Sequence, residues 1–154
     1  MSTSIKFKSS RFGEIEVPEE TLIVIPSGMI GFANYTKFVL LDYNPPFSWL
    51  HSVEAPDLAF VVVNAAEFGD SYAVPLPMGD SDIDLKEGDE VAIVTLVSVR
   101  PDPTQTTVNL KAPVVVNLRN RKGRQIVIDQ ADYPTRMPLW ANKDEGKQGE
   151  SEKK

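Results

Sequence analysis

The sequence predicts an all-β protein: a small antiparallel β-barrel-like domain with at most one or two short helical turns. Three observations carry this. Short apolar runs of strand length recur at close intervals, turn residues separate them, and long helical periodicity is nearly absent. Strands this short and numerous, several of them apolar on both faces, point to a closed or nearly closed barrel.

The elements follow in order. In SIKFK, Ile5 and Phe7 alternate with Lys6 and Lys8, and in EIEV, Ile15 and Val17 alternate with Glu14 and Glu16. The SSRFG between them is a turn signal, so the two are expected to pair as an amphipathic hairpin. TLIVI (21–25), FVLLDY (38–43), FSWLHS (47–52) and AFVVVN (59–64) are the next strands, and VAIVTLVSV (91–99) is the longest β-branched run. The final strands are TVNL, VVVNL and QIVID; Ala112-Pro113 predicts a bend between the first two, because proline breaks a ladder. RNRKG is the last turn, with Gly123 suited to a positive φ. Only DSDIDLKEG (80–88) offers a helical turn or two. The domain is expected to span 1–140. The stretch 141–154, almost without apolar residues, is expected to be a disordered charged tail.

Apolar residues make up 42% and charged residues 25% of the 154, which is ordinary for a soluble domain with a real core. There is no cysteine, no apolar leader and no membrane-length apolar run, so a cytoplasmic protein is expected. The net charge of −6 is unevenly spread: residues 54–90 hold ten acids and one base, whereas 91–140 hold seven bases and three acids. An acidic middle disfavours general binding to a phosphate backbone and favours a basic partner.

Candidate chemistry is sparse. His51 is the only histidine, so Ser–His or Cys–His catalysis would have to run through it, yet it shares a strand face with Phe47 and Trp49. A packed structural role fits it better. Asp80, Asp82 and Asp84 resemble the start of a calcium loop, but Leu85 stands where glycine is needed and Val91 where the bidentate glutamate is needed. No metal or cofactor is expected. Arg119, Arg121, Lys122 and Arg124 make a basic turn without aromatic stacking partners beside it, a weak nucleic-acid signal. An RNA-binding barrel using hairpin 119–124 is the alternative function. Gly28 and Gly31 in PSGMIGF supply turn conformations rather than a phosphate cradle. Trp49 and Trp140 are candidate interface anchors, although a core role suits Trp49 better.

Three motifs in combination carry a resemblance: Pro26-x-Gly28-x-x-Gly31-Phe32; Leu50-x-Ser52 followed by Pro56 and Phe60; and Asn109-Leu110-x-Ala112-Pro113 followed by Asn117 and Gln125. Over roughly residues 4–138 the chain closely resembles the flagellar assembly factor FliW family. The resemblance implies a small cytosolic β-barrel without enzymatic activity, a monomer when free. It would bind flagellin and the RNA-binding translational regulator CsrA, antagonising CsrA repression of flagellin translation by partner switching, without touching nucleic acid or membrane itself. Gly28, Gly31, Pro56 and Pro113 then look like determinants of backbone shape. Asn109 and Asn117 either bond turn backbone or face a partner. For CsrA, the expected surface is Glu67, Asp70, Asp80, Asp82 and Asp84, since a regulator that binds RNA is basic. For flagellin it is Phe47, Trp49 and Leu50, since an amphipathic segment needs an apolar groove.

Overall fold

In the computed structural model, which describes residues 3–139, the chain folds as a closed β-barrel with an N-terminal hairpin docked on its outside. The tail 141–154 and Trp140 lie outside the described residues. Strands β1 (Ser4–Ser9) and β2 (Gly13–Pro18) form the hairpin in the expected register, with Phe7 opposite Ile15. The barrel proper comprises β3 (Ile23–Val24), β4 (Lys37–Asp42), β5 (Phe47–Ser52), β6 (Ala59–Asn64), β7 (Val91–Ser98), β8 (Thr107–Asn117) and β9 (Lys122–Gln125). Neighbours pair antiparallel from β3 through β9, and the cylinder closes through one short parallel pairing, Val24 with Lys122. A short β10 (Met137–Pro138) pairs with the start of β8.

The barrel interior is filled by Ile23, Ile25, Met29, Phe38, Leu50, Val62, Val94, Val114 and Val116. These alternate with residues that point outward, and the outward set on β7 and β8 is also apolar. It packs into two further clusters: one holds Val63, Tyr72, Val108, Leu110, Ile128 and Leu139, the other Ile83, Leu85 and Val115. The segments 65–90 and 126–139 therefore act as covers for the outer face of the sheet. This is why the strands read as continuous apolar runs rather than as clean alternation.

Several local expectations need correction. Proline does not split the 107–117 run; β8 is one strand carrying a bulge, with its pairing to β7 jumping from Val114–Val94 to Asn109–Leu96. At the bulge β8 serves other partners: Leu110 N–H donates to Pro134 O, while Pro113 O and Lys111 O accept from Ile126 and Ile128. QIVID contributes only Gln125 to β9: opposite 126–129, Pro113 has no N–H to give, and the Lys111 and Ala112 N–H groups go to Asn109 Oδ1. TLIVI shortens to Ile23–Val24. Stretch 80–88 forms turns and no helix, and the 3-10 turns fall instead at Glu19–Thr21, Ala65–Phe68 and Pro103–Gln105. In the 118–122 turn the positive φ falls on Arg121 at 59°, not on Gly123. Gly123 is glycine for space: a Cβ there would lie 3.2 Å from Val115 O and 3.5 Å from Ile25, at the seam where the barrel closes.

Candidate protein-binding surfaces

The cross-strand register places Trp49, Val61 and Val97 in one row across the outside of β5, β6 and β7. This row is half-buried, and it floors an open groove of about 750 Å³. Tyr43, Phe47, Val99, Pro103 and Thr106 complete the walls, and the hairpin turn contributes Arg11. The Arg11 guanidinium sits 4.6 Å over the Trp49 ring, while Phe12 and Tyr43 meet the same ring at 6.0 and 5.5 Å. Arg11 is the single charged residue lining the groove. Val99 and Tyr43 stay 59% and 49% exposed at its rim, large apolar area left in water.

Of the three residues expected to form an apolar contact surface, Phe47 and Trp49 line this groove. Leu50 does not. It is fully buried in the barrel interior, because adjacent strand residues point to opposite faces, and no partner can reach it in the folded state. Arg11, Tyr43, Val61, Val97 and Val99 were not singled out from sequence. Each lies on a different element, and only the strand register brings them together.

The hairpin that supplies Arg11 is anchored through His51. Its Nε2 lies 2.8 Å from Ser9 Oγ and its Nδ1 2.7 Å from Ser52 O, with the ring fully buried against Phe7. Ser9 Oγ also accepts from the N–H groups of Arg11 and Phe12, so one hydroxyl fixes the turn and ties it to β5. Ser10 N–H donates to Pro56 O on the neighbouring loop. His51 is thus a structural pin with both ring nitrogens engaged.

The acids of 54–90 do not form one face. Glu54 accepts from the N–H groups of Thr36 and Lys37, and Asp57 accepts from Ser10 Oγ. Asp80 and Asp82 clasp Arg124 at 3.0 and 2.8 Å. Asp89 meets Arg119 Nε at 2.9 Å, with Asp84 3.6 Å from the same guanidinium. The hydrogen bond from Arg119, then that from Lys86 N–H, holds the Asp89 carboxyl down at about 2, and the Arg119 guanidinium is pushed further up by the same contact. Much of the basic turn and the acidic loop thus neutralise one another. Glu67 and Asp70 remain exposed, with no base paired to them among the described residues.

The motif residues resolve into backbone work. Asn117 is fully buried; its amide donates to Ile83 O at 3.2 Å and Asp89 Oδ2 at 3.1 Å, and its oxygen accepts from Arg119 N–H. Asn109 Oδ1 accepts from the N–H groups of Lys111 and Ala112, which the β8 bulge has taken off the ladder. Gln125 bridges Ala112 O and the N–H of Ile30 in the loop after Pro26. In that loop Gly28 has φ +71°, and a Cβ would fall 2.6 Å from Ala33 Cα, so no other residue fits. Gly31, also at positive φ, sets up Phe32, whose ring meets Phe60 edge-on at 5.5 Å. Ser52 Oγ accepts from Glu54 and Ala55 N–H in the turn leading to Pro56. No group of three or more potential metal ligands occurs among the described residues, and no helix among them is long and apolar enough to cross a membrane.

The family model for the FliW protein matches residues 6–139 of this chain. The chain belongs to the FliW family. A flagellar assembly factor FliW from Natranaerobius thermophilus is 42% identical over 140 residues, covering 88% of this chain and 93% of the relative. One from Geobacter sulfurreducens is 42% identical over 135 residues, covering 86% and 84%. A crystal structure of the flagellar assembly factor FliW superposes with a TM-score of 0.78 at 29% identity, covering 88% of this chain and 96% of that one. The closed barrel, the docked hairpin and the motif loop described above are therefore features of a FliW-family chain, and the expected barrel class and family both hold.

Proposed function

We propose that this FliW-family chain acts in flagellar assembly as a binding protein without catalysis. In this reading it takes flagellin in the β5–β7 groove and CsrA on a separate acidic surface, antagonising CsrA repression of flagellin translation by partner switching. The observation that carries the reading is the apolar groove floored by Trp49, Val61 and Val97 beside a hairpin pinned through His51. A groove of that kind suits the apolar side of an amphipathic segment. The names of the relatives as flagellar assembly factors support the setting. The one histidine is locked into backbone and hydroxyl contacts, which takes it out of consideration as a general base.

For CsrA the acids best placed are Glu67 and Asp70, exposed and unpaired among the described residues, with Asp84 half-exposed beside Arg119. Asp80 and Asp82 serve mainly to hold Arg124. The competing use of hairpin 119–124 on RNA loses support from the same contacts, because Arg119 and Arg124 already carry carboxylate partners. The protein acts from the cytoplasm in this reading.

Calorimetric titration of the protein with purified CsrA, alone and after saturation with flagellin, tests the proposal. Binding of CsrA that flagellin abolishes is the expected result. Binding that survives flagellin would remove mutual exclusion, and binding to neither would overturn the assignment.

A further inference from the structure

The groove carries one charge, the Arg11 guanidinium, and it has no acidic partner among the described residues. The Trp49 indole N–H is buried without a partner. The Arg11 guanidinium, stacked on the same ring, pairs with no carboxylate, in contrast to Arg119 and Arg124. Everything else in the walls is neutral and mostly apolar.

We infer that the groove reads a carboxylate on its occupant: an apolar partner segment carrying one Asp or Glu side chain set to meet Arg11, the groove's single charge. Charge complementarity commits the site to this chemistry. The guanidinium is held by cation–π stacking on Trp49, and the turn behind it is fixed by Ser9 and His51, so it is pre-placed rather than recruited. Its hydrogen-bonding edges are left for an incoming acid, and a carboxylate fits the guanidinium fork better than a neutral acceptor does. The apolar row supplies area and the acid supplies register. A segment without the acid leaves the Arg11 guanidinium unpaired against apolar surface, and one with lysine in its place is disfavoured by repulsion. The inference rests on the groove being the flagellin site proposed above.

The test is a titration of purified flagellin with four proteins: wild type, Arg11→Gln, Arg11→Lys and Val99→Glu, each at low and high salt, with thermal unfolding to establish folding. Arg11→Gln is expected to bind roughly tenfold more weakly and to lose most of the salt dependence, the scale of a charge-assisted hydrogen bond. Arg11→Lys should keep the salt dependence and recover part of the affinity. Val99→Glu should weaken binding whatever the salt. Wild-type affinity and an unchanged salt slope in Arg11→Gln, with Val99→Glu impaired, would overturn the carboxylate while leaving the groove as the flagellin site. Undiminished binding by Val99→Glu as well, or no binding of flagellin by the wild type, would overturn both.

Discussion

Two cationic regions of the molecule are wired in opposite ways. At the acidic loop 80–90, Arg119 and Arg124 each bind two carboxylates, and Asn117 ties that loop to β8 from beneath. At the groove, Arg11 stacks on Trp49 and meets no acid among the described residues. Charges satisfied within the chain hold covers onto the barrel; a charge left unsatisfied beside apolar surface is available to a partner. Net charge along the sequence does not distinguish these cases, whereas pairing does.

Substitutions at the clamp should therefore move stability and leave partner binding, while substitutions at the groove should do the reverse. The largest effect is expected from Asn117→Ala. It strands the Arg119 N–H, removes a donor to Asp89 beneath the loop and leaves Ile83 O with Asn120 Nδ2 alone, so a loss of about 3 kcal/mol is expected in denaturant unfolding. A loss under about 1 kcal/mol would mean that loop 80–90 is held by the packing of Ile83 and Leu85 and by the arginine ion pairs, without need of Asn117. Next is Val99→Glu at the groove, a rim residue 59% exposed. Flagellin binding should weaken at least tenfold while stability stays within about 0.5 kcal/mol of wild type, the usual range for exposed positions. Arg124→Gln comes third: with both carboxylates left facing each other, about 1 kcal/mol of stability should be lost, discounted because the side chain is 37% exposed. CsrA binding in that variant should be retained, and its disappearance would place the clamp itself in the interface.

How much of this was legible in the sequence differs between the same two regions. Alternation gave the hairpin of Ile5, Phe7, Ile15 and Val17, and the strand lengths of β5 and β6 follow from their apolar runs. Those signals are local. The bulge in β8 was visible only as a proline, and what Asn109 does there depends on N–H groups that lose their ladder partners in three dimensions. Gly123 looked like a turn glycine, but the constraint comes from Val115 and Ile25, neighbours that exist only once the barrel closes. The groove needed the register Trp49–Val61–Val97, which no single strand encodes. The acids of 54–90 looked contiguous and proved to be spread over separate sites: Glu54 and Asp57 bond neighbouring loops, and loop 80–90 folds its acids back on the 118–124 turn.

The smallest predicted effect sharpens the comparison by pH. The Asp89 carboxyl lies at about 2 rather than at the ordinary 3.8, chiefly because Arg119 donates to it. A folded-state value below the unfolded one means that the ion pair contributes its full stabilisation above roughly pH 4, and that this is lost as pH falls through that range toward 2. Asp89→Asn should therefore show a shallower fall in Tm than wild type between about pH 5 and pH 2, with the two curves converging at the acid end. Arg11→Gln should run parallel to wild type over the same range, because no carboxylate of the described residues depends on that guanidinium. A shallower acid limb in Arg11→Gln would reveal an intramolecular acid at the groove and erase the contrast between the two regions. Parallel curves there, with convergence only in Asp89→Asn, would locate the chain's own ion pairing at the clamp.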